Sequence, residues 1–122
     1  MSNIAELTQK LIAFRDVRDW KQFHNPKDLA VALSIESSEL LEAFLWKSSE
    51  QASKDKIKEE LADVLAYAFL LANECGLDVA EIVSAKIEAN NLKYPIDKVK
   101  GSAKKYNEIW VFTQIRRLNS LH

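Results

Sequence analysis

The sequence predicts an all-α protein built as a four-helix bundle, and three observations carry that prediction. Apolar residues recur at three- and four-residue spacing in four separate stretches of the 122-residue chain. Gly and Pro occur only twice each, too few for a fold of many short strands joined by hairpins. No two segments make a convincing strand pair. The layers must therefore be helix on helix.

The first helix is marked by Ile4, Leu7, Leu11 and Phe14, a stripe that ends near Arg18. Residues 19–25 form a connector rich in aromatic and polar groups. Asn25-Pro26-x-Asp28 is a helix start, with Asn as N-cap, Pro at the first helical position and an acid in the first turn. This second helix is predicted from Pro26 to about Lys47, followed by a serine-rich loop over Ser48 to Ser53. A third runs from Lys54 to about Cys75, where Gly76 is a good stop. Asp78-x-x-Glu81 reads as a capping box for the fourth helix, which Tyr94-Pro95 closes. Beyond Ile96 the periodicity weakens. Lys98, Lys100, Lys104 and Lys105 flank Gly101-Ser102 as a basic loop, and Trp110 to Phe112 with Ile115 to Leu118 read equally as a short helix or strand. Residues 1–106 are expected to be one domain and 107–122 a C-terminal extension.

Composition excludes several classes. Seventeen basic against eighteen acidic side chains leave a net charge of -1, so no global field draws nucleic acid or an anionic membrane. Residues 1–10 lack the apolar core of a signal peptide. The longest apolar run, Val64 to Ala72, is nine residues against the ~20 needed to span a bilayer. Cys75 is the lone cysteine, which removes an intrachain disulfide and a cysteine zinc cluster and fits a cytoplasmic setting. Neither Gly-rich phosphate loop is present.

Carboxylates stand where apolar residues belong. At 100° per residue, Leu29, Leu33, Leu40 and Ala43 fall within about 60° of Glu36, and Glu39 lies about 60° to the other side. On the third helix Glu60 and Asp63 share a face with Val64, Tyr67 and Leu71. Unpaired buried carboxylates cost several kcal/mol each, so four facing one another need a cation. The plain alternative is two salt-bridged Glu residues with two partly exposed ones; a structural helical oligomer would require all four carboxylates to be paired with basic residues. Two such pairs on adjacent helices favour the metal. Oxygen ligands alone imply a hard divalent ion, Mg²⁺ before Mn²⁺ or Ca²⁺. A di-iron site of the Glu-x-x-His kind falls, because His24 and His122 lie outside these helices. Lys86, Asn90 and Lys93 recur at i, i+4 and i+7, either as snorkelling cations or as donors for phosphate oxygens. Trp20, Phe23 and Trp46 are core or interface aromatics, or platforms on which a base stacks.

Glu36-Ser37-Ser38-Glu39 and Glu60-Leu61-Ala62-Asp63, with twenty residues between them, resemble the E-x-x-E, spacer, E-x-x-D pattern of the MazG-type all-α NTP pyrophosphohydrolases. Flanking segments are similar to the dCTP pyrophosphatase branch of that superfamily: Arg18 to His24, Leu45-Trp46-Lys47, Glu59 to Tyr67, and Asn90 through Tyr94-Pro95. The likeness spans about residues 7 to 107. It implies a MazG-type fold and Mg²⁺-dependent hydrolysis of a nucleoside triphosphate to monophosphate and pyrophosphate, a house-cleaning activity. It also implies that Glu36, Glu39, Glu60 and Asp63 bind metal and carry catalysis. Trp20, His24, Trp46 and Tyr67 would line the nucleotide site, with Lys86, Asn90 and Lys93 toward the phosphates. The branch's E-V-G-E is Glu36-Ser-Ser-Glu39 here, and the preferred base stays open. A nucleotide-sensing module without catalysis is the alternative reading. Self-association is expected from a second apolar side of helix two, Val31, Leu41 and Leu45, which a monomer would leave in water. The chain is thus expected to be a homodimer or homotetramer.

Overall fold

The computed structural model describes residues 3–101 and shows five α-helices, with no strand among them. They are α1 (Asn3–Asp16), α2 (Pro26–Glu42), α3 (Lys54–Glu74), α4 (Val79–Lys93) and α5 (Ile96–Val99), with a 3-10 turn at Lys21–Phe23. The chain divides into two compact units, residues 1–82 and residues 83–122. In the first unit α3 is the hub, with α2 packed most heavily along it and α1 beside it. Among the described residues Leu29, Ala43, Leu70 and Ala72 are the buried apolar ones, and Leu29 is 1% exposed. No helix among the described residues is long and apolar enough to cross a membrane.

The local signals act as the sequence suggests. Asn25 caps α2 through Oδ1, which accepts from the Asp28 N–H at 2.9 Å, while its amide donates to the Asp28 carboxylate at 2.7 Å. Asp78 accepts from the Glu81 N–H at 2.9 Å and starts α4. Gly76, at φ +67°, ends α3. Its N–H reaches Asn73 O, and that of Leu77 reaches Ala72 O, the two bonds of a Schellman motif.

The first helix ends near Arg18 as expected: α1 runs to Asp16 and Asp19 takes the left-handed region at φ +55°. The N–H of Asp19 then bonds Asp16 O and that of Trp20 bonds Arg15 O, a Schellman motif built on an Asp that tolerates this conformation. Two later features differ from expectation. Helix two ends at Glu42, five residues before Lys47. From Ala43 to Leu45 the N–H groups bond carbonyls three residues back, and Trp46 turns left-handed at φ +61°. Leu45 is therefore in a turn and not on the second apolar side of α2, where Val31 and Leu41 are exposed. The basic loop expected after Ile96 begins instead with the short helix α5. Lys104, Lys105 and the Trp110 and Ile115 segments lie outside the described residues.

Candidate active site

α2 and α3 bring acidic side chains together from opposite sides of their contact. Glu36, Glu60 and Asp63 each offer a carboxylate oxygen within 4.8 Å of the others. Burial grades across the group, from Glu60 at 7% exposure through half-buried Glu36 to exposed Asp63. Glu39 stands outside this triad, beside Glu36. Burial raises the Glu36 pKa to about 6, with the neighbouring Glu39 carboxyl and the charges of Glu39, Asp63 and Glu60 adding to it.

The cluster is only partly neutralised by protein. Lys56, one turn before Glu60 on α3, holds its Oε1 at 2.8 Å, and this pairing raises the Lys56 pKa. Glu60 Oε2 and Glu36 Oε2 are buried without a hydrogen-bond partner. A buried oxygen left so costs about 1–3 kcal/mol, more when charged. Unpartnered oxygens on a carboxylate triad are the donor set of a hard divalent cation, so these residues fit the metal the sequence implies. Lys56 went unnoticed at the sequence level, although its i, i+4 spacing to Glu60 is visible there.

Asp63 also forms part of a second feature, a cleft of about 290 Å³ between α1, the connector and α3. Trp20, His24 and Tyr67 line it, with Arg15 and Phe14. Phe14 and Trp20 meet edge to face at 5.9 Å, the Arg18 guanidinium lies 3.6 Å from the Phe14 ring centre, and His24 lies 6.5 Å from Tyr67. The Asp19 turn and the following 3-10 turn place Trp20 and His24 here. Burial lowers the His24 pKa and Arg15 lowers it further, against a smaller opposing effect of Glu74. His24 is thus a neutral imidazole, and its buried Nδ1 has no hydrogen-bond partner. Burial and then the charges of Glu36, Asp63 and Glu39 raise the Tyr67 pKa, which keeps its phenol protonated.

Trp46 is 98% exposed in the turn after α2 and does not line the cleft. Lys86, Asn90 and Lys93 belong to the second unit, on α4, where the two lysines are exposed and Asn90 is half-buried. Arg15 is the cleft residue the motif reading left without a role. Its partner Glu74, 2.8 Å away, lies 59 positions along the chain, beyond any local pattern.

A pH dependence follows from Glu36. Its folded pKa, about 6, exceeds its ordinary 4.5, so the folded state holds the proton more tightly. The stability this adds is full below about 4.5 and is lost as pH rises through about 6. Melting of metal-free protein should therefore drop in temperature across that window. Glu36→Gln should flatten the drop, and an unchanged slope in the variant would place the titration elsewhere.

Residues 31–109 match the model of the MazG-like family. The mouse and rat proteins named dCTP pyrophosphatase 1 are 38% and 41% identical to the chain over 104 residues, and the human one 36%. These alignments cover 79% of this chain and 61% of each relative, so the chain spans about three-fifths of the length of the curated relatives it matches. The crystal structure of a pyrophosphatase from Archaeoglobus fulgidus superposes with a TM-score of 0.72 at 41% identity, covering 78% of this chain and 94% of that one. With an all-α fold, the paired acidic motifs on α2 and α3 and a family match over more than half its length, the chain belongs to the MazG-like family.

Proposed function

We propose that this protein is a Mg²⁺-dependent nucleoside triphosphate pyrophosphohydrolase that releases monophosphate and pyrophosphate, with a dCTP-like deoxynucleotide preferred. The observation that carries the reading is that Asp63 belongs to both the carboxylate triad and the aromatic cleft. A nucleotide with its base in the cleft has its phosphate chain beside the acidic group. The names of the relatives favour the same chemistry.

Glu36, Glu60 and Asp63 would hold the cation, with Glu39 beside Glu36. A hard divalent ion bound there supplies neutralisation of phosphate charge and a water of lowered pKa. The protein's own groups do the rest. Trp20 offers a stacking face, which tolerates any base. His24 offers one donor and one acceptor as a neutral ring, and Tyr67 keeps a hydroxyl donor. The roles given to Lys86, Asn90 and Lys93 at the phosphates, and to Trp46 at the base, rest on the family likeness. So does association into a dimer or tetramer, to which the exposed Val31 and Leu41 lend support. A cytoplasmic, house-cleaning role is part of the same proposal.

The test is a panel of canonical and modified dNTPs with Mg²⁺, the products resolved as monophosphate plus pyrophosphate or diphosphate plus phosphate. Monophosphate and pyrophosphate are expected, abolished by EDTA and restored by Mg²⁺. Binding with no turnover of any triphosphate would favour the nucleotide-sensing alternative, and turnover to diphosphate would defeat the proposed cleavage.

A further inference from the structure

Arg15 sits at the penultimate position of α1, 3% exposed, in the wall of the aromatic cleft. A buried guanidinium needs partners, and it has two. Nη1 donates to Glu74 Oε1 at 2.8 Å and Nε to Asp16 Oδ1 at 3.0 Å. Stability alone does not require this arrangement, because apolar residues of similar volume replace buried ion pairs with little loss. What the two carboxylates accomplish is to fix the plane of the guanidinium. Of its five N–H donors, those two bonds use two, and the other three have no acceptor among the described residues. Leu11, Phe14 and Leu70 make the neighbouring wall of the cleft apolar.

We propose that Arg15 is a specificity-determining residue that selects bases presenting two adjacent acceptors. This rests on the nucleotide reading above and deepens it. A guanidinium is a planar donor that accepts nothing. Cytosine offers N3 beside O2, and guanine offers N7 beside O6, pairs that a fork of N–H groups can match. Thymine places its N3–H between its two carbonyls, and adenine places its amino group beside N1 and N7. A donor facing a donor in an apolar cleft leaves both without partners. The cleft should therefore take cytosine and guanine over thymine and adenine.

The experiment is calorimetric titration of the full chain with dCMP, dGMP, dTMP and dAMP, without added metal. Wild type is compared with Arg15→Lys, which keeps the charge but not the fork, and with the double variant Arg15→Met/Glu74→Leu, which removes the ion pair at similar volume. Circular dichroism and melting establish that each variant is folded, and Arg15→Lys decides alone if the double variant is not. Wild type should bind dCMP and dGMP at least about tenfold more tightly than dTMP and dAMP, a gap that shrinks to within about threefold in the folded variants. A merely structural Arg15 would shift melting and leave that ratio alone. Equal binding of all four by wild type, or an undiminished ratio in a folded variant, overturns the proposal. A wild type that hydrolyses dNTPs without base preference defeats this inference alone. One that neither binds nor hydrolyses any nucleotide defeats the nucleotide reading, and the inference with it.

Discussion

Asp63→Asn is expected to lower kcat for dNTP hydrolysis by about a hundredfold or more while leaving the metal-free protein as stable as wild type, or more so. The substitution keeps the shape of the side chain and removes one negative charge from a triad whose oxygens lie within 4.8 Å of one another. Asp63 is also the exposed member of that triad, so the change places no new unpaired group in the core. Two opposite effects should follow. Repulsion among Glu36, Glu60 and residue 63 falls, which favours the folded state without metal. Affinity for a divalent cation falls as well, so Mg²⁺ should raise the melting temperature of wild type more than that of the variant. Glu59→Gln is the control, a neighbouring exposed carboxylate outside the triad, and should keep wild-type turnover. Full activity of Asp63→Asn, or of wild type in EDTA, would end the metal reading.

Leu29→Ala is expected to destabilise the fold by about 3 kcal/mol, within the 2–5 kcal/mol typical of such truncations. Leu29 is the most completely buried large side chain among the described residues, at 1% exposure in the first turns of α2. It lies two turns before Glu36 on the same face, so the packing it supports also aims Glu36 at α3. A cavity there should weaken Mg²⁺ binding along with stability, although Leu29 is no ligand. Urea unfolding reads the first effect and cation-induced melting shifts read the second. Val17→Ala, at a position 80% exposed, should change stability by no more than about 0.5 kcal/mol. A loss below about 1 kcal/mol for Leu29→Ala would mean that α2 is not held by this face.

Helix starts and stops were legible in the sequence because they are made by residues within a turn of one another. Asn25 and Asp78 cap the helices they precede, and Gly76 adopts the left-handed conformation that ends α3. The acidic pairs were legible for a related reason. A carboxylate among Leu29, Leu33, Leu40 and Ala43 violates a periodicity that depends only on helix geometry. The end of α2 was not legible, since Ala43 to Lys47 contains neither Gly nor Pro and still leaves the helix through bonds to carbonyls three residues back. A left-handed Trp46 has no local signature, and its side chain stands 98% exposed rather than at the cleft.

Periodicity names the face a side chain occupies, whereas the meeting of two faces depends on how the helices cross and which rotamers that crossing permits. The tertiary structure alone placed Glu36 with Glu60 and Asp63 and left Glu39 outside the triad. It alone joined Arg15 to Glu74 across 59 residues and set that pair in the wall of the cleft. Sequence spacing is a one-dimensional record. Distances between oxygens on different helices are fixed by packing, and packing follows from the whole set of buried surfaces at once.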